Sequence, residues 1–178
     1  VMDKGPAKSI TNADGDPIYL WVGKLDPNKD PLTVITAFLK FLKDHPTARL
    51  YMIYHDDALL PKIKDMLISN KKATESIRFL GKITHQQMQQ WYNSPDFIIS
   101  GSHYEGGGTS VSEAMSCGCV PVVTNIPSFR RMTGPGKCGF LYEPGNADDL
   151  LSILLRTNEM DIETERKKQS DAEAKIKT

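Results

Sequence analysis

Two glutamates and two lysines, all in or beside glycine-bearing turns, carry the reactive potential of this 178-residue sequence. Glu105 and Glu113 enclose seven residues, Gly106-Gly-Gly-Thr-Ser-Val-Ser112, just beyond the apolar run Phe97-Ile-Ile-Ser100. That run, bounded by Pro95 and Gly101, reads as a short buried strand. Gly106, Gly107 and Gly108 lift the steric bar to positive φ and let the main chain approach a ligand closely. From Thr109 onward, Val111, Ala114 and Met115 share one helical face; Thr109 or Ser110 is the expected N-cap and Gly118 the stop. A strand, a glycine loop and a helix start turn free N–H groups and the positive end of a helix dipole toward an anion, above all a phosphate. A carboxylate repels phosphate, so Glu105 and Glu113 are better suited to accepting hydrogen bonds from neutral hydroxyls such as those of a sugar. Amides for phosphate and carboxylates for hydroxyls describe a nucleotide-sugar site. An ordinary tight connection would account for the glycines alone, and a solvated side chain for either glutamate alone; the combination favours the site.

An alternating series of elements must hold these residues. Ile18-Tyr-Leu-Trp-Val22 is a continuous apolar strand, and the loop after it, Gly23-Lys-Leu-Asp-Pro-Asn-Lys-Asp30, carries Lys24 and Lys29. Asp30 with Pro31 marks a helix start, N-cap then N1, followed by the stripe Val34, Ile35, Phe38, Leu39 and Leu42. Further strands are expected at 50–54, 77–80, 97–100, 120–124 and 139–142, and helices at 60–68, 85–92 and 147–155, with a short helical turn at 129–132. Pro121 weakens the fifth strand as a central one unless it lies near the start.

Six strands alternating with helices predict an α/β fold, a doubly wound parallel, Rossmann-like sheet. In the commonest order, 3-2-1-4-5-6, strands one and four are neighbours and a crevice opens between their carboxyl ends. The loop bearing Lys24 and Lys29 would then meet the loop bearing Glu105 and the glycines, and the lysines would add point charges for a diphosphate. Residues 1–16 read as a disordered or extended lead-in, 17–157 as the domain, and 158–178 as a charged segment, an exposed helix or disordered.

Formal net charge is zero, which gives no bulk electrostatic reason to expect nucleic acid. No apolar run is long enough for a transmembrane segment, and the first residues lack the apolar core of a signal peptide, so a cytoplasmic location is expected. Starting on Val and ending on a charged run, the sequence reads as an excised piece. Cys117, Cys119 and Cys138 form no CxxC pair and read as free thiols. His45, His55, His85 and His103 lack zinc spacing, so no metal site is expected, though His103 adjoins the glycine loop. The Gly-x-x-x-x-Gly-Lys-Ser/Thr, Gly-x-Gly-x-x-Gly and Gly-x-Ser-x-Gly patterns of P-loop, dinucleotide and hydrolase sites are missing.

Gly23-Lys-Leu-x-x-x-Lys29, Phe79-Leu-Gly81, Glu105-Gly-Gly-Gly-Thr-Ser-Val-Ser-Glu-Ala-Met-x-x-Gly118 with Pro121-Val-Val, and Gly139-Phe-Leu together resemble the C-terminal, nucleotide-sugar-binding half of the retaining glycosyltransferases called group 1 or family 4. The resemblance covers about residues 18 to 157. It implies half of a GT-B fold, a UDP- or GDP-sugar as donor substrate, no required cofactor or metal, and a hexosyl-type transferase whose acceptor-binding N-terminal domain lies outside this chain. It further implies that Glu105 meets the transferred sugar and Glu113 the ribose hydroxyls. Lys24 and Lys29 would hold the diphosphate in the catalytic step. Gly106, Gly107, Gly108, Thr109, Ser110 and Val111 would meet sugar and phosphates, with Gly23 in the facing turn and Lys82 and Ile83 near the base. The family usually has arginine where Lys24 stands and often glycine where Asp30 stands, so bidentate phosphate contact is lost at the first position. A nucleotide-sugar epimerase or hydrolase half, and a non-enzymatic nucleotide-binding module, are the alternative readings.

Overall fold

The computed structural model describes residues 3–176. Fifteen elements follow in order among them: α1 (Lys4–Thr11), β1 (Ile18–Gly23), α2 (Pro31–Phe41), β2 (Arg49–Tyr54), α3 (Leu60–Leu67), α4 (Lys71–Ser76), β3 (Ile77–Gly81), α5 (His85–Asn93), β4 (Phe97–Ser100), α6 (Thr109–Ser116), β5 (Val120–Thr124), α7 (Pro127–Thr133), β6 (Phe140–Tyr142), α8 (Ala147–Glu159) and α9 (Ile162–Ile176). The six strands form one parallel sheet in the order β3-β2-β1-β4-β5-β6. The expected doubly wound α/β architecture is therefore present.

Unbroken apolar strands are explained by burial on both sheet faces. Along β1, Tyr19 and Trp21 point into one cluster with Phe38 and Phe41 of α2 and Leu150 and Leu154 of α8. Ile18 and Leu20 point into the other, with Trp91 and Tyr92 of α5, Val111 and Ala114 of α6, and Phe129 of α7. Side chains alternate across the sheet with period two, so a one-residue slip would exchange the two cores. Pro121 pairs with Ile98 of β4, while β6 pairs with β5 only from Val122 onward, which leaves the proline outside that second ladder.

The lead-in differs from expectation. Residues 4–11 are helical, with Pro6 in the first turn, where its missing N–H leaves no helical bond unmade. Ala7 is fully buried, Thr11 Oγ1 lies 2.9 Å from Ser94 Oγ, and Lys4 Nζ contacts the Pro95 carbonyl, which fastens α1 to the end of α5. Burial pushes the Lys4 ammonium below its ordinary range.

The charged C-terminal segment is the helix α9, one of the two forms expected of it, and it is also docked. Gln169 is buried and donates to the Met115 carbonyl at 2.8 Å. Arg166 donates to the Gly118 carbonyl at 3.1 Å and to Asp96 Oδ1 at 3.1 Å. Its polar residues therefore carry tertiary bonds that hydrophobic periodicity does not reveal. Residues 1, 2, 177 and 178 lie outside the described residues.

Candidate active site

The two loops predicted to meet are bonded together. β1 and β4 are neighbours, with Tyr19 opposite Phe97, so the loops at their carboxyl ends emerge side by side. Asn28 fastens them: its carbonyl accepts from His103 N at 2.9 Å, its Oδ1 accepts from Tyr104 N at 3.0 Å, and its Nδ2 donates to the Tyr104 carbonyl at 3.1 Å. Asp30 adds a contact of 2.9 Å between Oδ2 and His103 Nε2. Gly101 makes the approach possible, since a Cβ there would sit 2.9 Å from the Asp30 carbonyl oxygen and 3.0 Å from that of Lys29. Asp30 itself adopts φ 44°, a left-handed conformation that explains why glycine also suits this position. As expected it caps α2, accepting from Thr33 N at 3.2 Å, with Pro31 next.

Between the loops lies a cavity of about 310 Å³. The first loop contributes Gly23, Lys24 and Lys29 to its wall, and the second contributes Glu105, Gly107 and Gly108, with Thr109, Ser110 and Val111 following from the first turn of α6. Lys29 Nζ forms an ion pair with Glu105 Oε1, and Ser102 Oγ donates to the same oxygen at 2.8 Å. Ser102 is fully buried and lies 3.1 Å, hydroxyl to hydroxyl, from Ser100. The glutamate is thus held by a charge from one loop and a hydroxyl from the other.

Only Gly108 of the three glycines uses a positive φ, at 60°. It, and not Thr109 or Ser110, is the N-cap of α6, and it supplies no side-chain cap. The helix therefore opens with Thr109, Ser110 and Val111 amides that have no intrahelical acceptor, beginning its ladder with Ser112 N to the Gly108 carbonyl at 3.0 Å. Those amides and the positive end of the helix dipole border the cavity. A side chain at 108 is excluded by Phe129 Cε1, 2.9 Å from where its Cβ would be.

Other expected residues lie outside this cavity wall. Gly106 precedes it, with open space where a Cβ would be. Glu113 is exposed one turn into α6, where its carboxylate and Ser110 interact with the Tyr92 hydroxyl; burial, and then Glu113, push that phenol well above its ordinary range. Lys82 and Ile83 follow β3 at the sheet edge, the first exposed and the second half-buried against the core. They share the carboxyl side of the sheet with the cavity but not its wall. Conversely, Val22, His55 and Ser100 line the cavity. Sequence reasoning passed over these three and over Asn28, Ser102 and Tyr92. Asn28 sits in a turn where asparagine is common, Val22, Ser100 and Tyr92 read as strand or helix residues, and His55 and Ser102 fall just past expected strands; only the fold aligns them. Among the described residues no cluster of three metal-ligating side chains occurs.

A doubly wound parallel sheet with a cationic, amide-edged pocket where β1 and β4 diverge defines the class: a Rossmann-like domain with its site at the topological switch point. Residues 6–175 match the family described as glycosyl transferases group 1, and the chain belongs to that family. Among curated relatives it is 27% identical over 158 residues to the D-inositol 3-phosphate glycosyltransferase of Frankia alni, covering 80% of this chain and 37% of that protein. It is 26% identical over 153 residues to the alpha-monoglucosyldiacylglycerol synthase of Streptococcus pneumoniae, covering 85% of this chain and 34% of that one. The chain thus spans little more than a third of the length of these relatives. Among solved structures, the C-terminal domain of a glycosyl transferase group 1 family protein from Francisella tularensis superposes with TM-score 0.80 at 20% identity, over 95% of this chain and 88% of that one. An Anabaena protein in complex with UDP and glucose superposes with TM-score 0.78 at 20% identity, over 96% of this chain and 46% of that one. No helix among the described residues is long and apolar enough to cross a membrane.

Proposed function

We propose that this chain is the donor-binding domain of a retaining, hexosyl-type glycosyltransferase that moves a sugar from a nucleoside-diphosphate sugar to an acceptor hydroxyl. The observation that carries this reading is the single cavity on which Lys24, Lys29, Glu105 and the open start of α6 converge. The diphosphate lies against Lys24, Lys29 and the amides of residues 108–111, and Glu105 accepts from hydroxyls of the transferred sugar. Glu113, beyond the cavity wall, meets the ribose, and Lys82 and Ile83 border the base. As the bond from sugar to diphosphate breaks, negative charge grows on the leaving group, and the lysines with the helix N-terminus stabilise it without rearranging. The acceptor is held by a separate N-terminal domain, and closure of the two excludes water. On this reading the chain alone binds donor and turns it over poorly or not at all, needs no metal, and acts in the cytoplasm. Group 1 membership and the UDP and glucose bound by a protein of the same fold support the reading.

A melting-temperature panel of UDP-, GDP- and ADP-sugars tests it, because a ligand that binds only the folded state raises stability. A shift with at least one of them is expected, and it also identifies the base. No shift with any, followed by no heat of binding in titration, overturns the proposal.

A further inference from the structure

Resting on the donor-site reading, we infer that Thr124 and Tyr142, the last residues of β5 and β6, are positioning residues for the transferred sugar: their hydroxyls hold the turn that presents Glu105. Neither lines the cavity. They are register partners at the carboxyl end of the sheet, and both are buried. Thr124 Oγ1 donates to the Ser102 carbonyl at 2.6 Å, and Tyr142 Oη reaches past β5 to donate to the Ser100 carbonyl at 2.8 Å. The two acceptors flank Gly101, the point at which the chain leaves β4 for the glycine loop.

The peptide between Ser102 and His103 is planar, so its two ends do not move separately. Its carbonyl is held by Thr124 and its N–H by the Asn28 carbonyl at 2.9 Å, which pins the plane between β5 and the β1–α2 loop. Ser102 is thereby fixed with its side chain on Glu105. An ionised carboxylate only accepts, so the Ser102 hydroxyl donates to Glu105 Oε1 at 2.8 Å, and the hydroxyl of Ser100, 3.1 Å away, donates in turn to Ser102 Oγ. Hydrogen bonds aligned in such a chain strengthen one another. Burial pushes the Tyr142 phenol well above its ordinary range, so it stays a donor. Deleting either hydroxyl takes a donor from a carbonyl beside Gly101, and the turn must shift to recover the bond or leave it unmade. The displacement is passed to Glu105 through the serines, and the cost falls on the sugar.

Isothermal titration of the chain and of its Thr124→Val and Tyr142→Phe variants with UDP and UDP-glucose, and with GDP and GDP-mannose, tests the inference. For the nucleotide pair that binds, each variant is expected to lose on the order of fivefold in affinity for the sugar nucleotide, the factor of one neutral hydrogen bond, and none for the nucleoside diphosphate. Thr124→Ser keeps the hydroxyl and should restore the wild-type affinity. Melting without ligand reads stability separately, since a merely structural role lowers the melting temperature and leaves the ratio of the two affinities as it was. An unchanged ratio in either variant overturns the role of that residue, and a loss that Thr124→Ser fails to reverse overturns that of Thr124; both results leave the donor site in place. Should Thr124→Val fail to fold, the ratio in Tyr142→Phe decides for the pair, because both hydroxyls hold the same turn. Absence of binding of all four nucleotides to the wild-type chain overturns the donor site and this inference with it.

Discussion

Ser102 Oγ donates at 2.8 Å to Glu105 Oε1, the same oxygen that Lys29 Nζ contacts. One oxygen of the carboxylate is therefore engaged by protein, and the proposed function gives the sugar hydroxyl to the other, Oε2. Ser102→Ala removes a neutral donor from a buried position and should weaken nucleotide-sugar binding by ~1 kcal/mol. Because Glu105 is assigned to the sugar, UDP itself should bind the variant as well as it binds the wild type. Titration with UDP and UDP-glucose side by side decides this, and equal losses for both would remove Ser102 and Glu105 from the sugar subsite.

Gly108 must stay glycine for two reasons, its φ of 60° and the 2.9 Å separation between a Cβ there and Phe129 Cε1. Gly108→Ala should cost roughly 1–3 kcal/mol of stability. Urea unfolding measures it; a midpoint equal to wild type would mean that α6 shifts its start freely.

Lys24 is a point charge at the cavity wall with no role in the core. Lys24→Ala should reduce UDP affinity by about 1 kcal/mol or more and leave uridine binding unchanged. Equal losses for nucleoside and diphosphate would contradict its placement against phosphate.

Glu113 lies outside the cavity wall and beside the Tyr92 hydroxyl. If it takes the ribose hydroxyls, Glu113→Ala lowers nucleotide-sugar affinity by roughly 1.5 to 3 kcal/mol, the worth of hydrogen bonds to a charged acceptor. Titration that shows unchanged affinity would remove it from the site.

Acid sensitivity should centre on Asp14. Its carboxyl is held below the ordinary 3.8 first by the hydrogen bond from Tyr51 Oη at 2.8 Å and then by Arg78 and Arg49, at 3.1 and 3.7 Å. A depressed folded-state value means that the unfolded chain takes up the proton first. The stabilisation is therefore complete above the ordinary value and lost as pH falls through the lower, folded one. Asp14→Asn should lose less stability than wild type between about pH 5 and about pH 3, as read by urea midpoints.

The sheet was legible because each strand is an apolar run between turn residues, and alternation with helices selects the parallel order. The meeting of the lysine loop and the glycine loop followed from that order alone. What escaped was whatever depends on register or on polar docking. α4 is a single turn and a half capped by Asn70, without an apolar stripe to announce it. α1 contains glycine and proline and is secured by contacts to Ser94 and Pro95, far away in sequence. Thr109 and Ser110 are good caps by type, yet the close approach of Phe129 puts glycine at the cap. His55 is one histidine among four until the fold brings it to the cavity wall.

The ion pair between Lys29 and Glu105 has a bearing on how this pocket responds to salt. Across Lys24, Lys29 and Glu105 the formal balance is two positive charges against one negative, so the resting cleft projects only a faint field into solvent. On the proposed reading, an arriving diphosphate takes over from a carboxylate an ammonium that is already oriented. Ionic strength should therefore alter the encounter only shallowly, and discrimination should arise at contact, after the diffusing molecule has arrived.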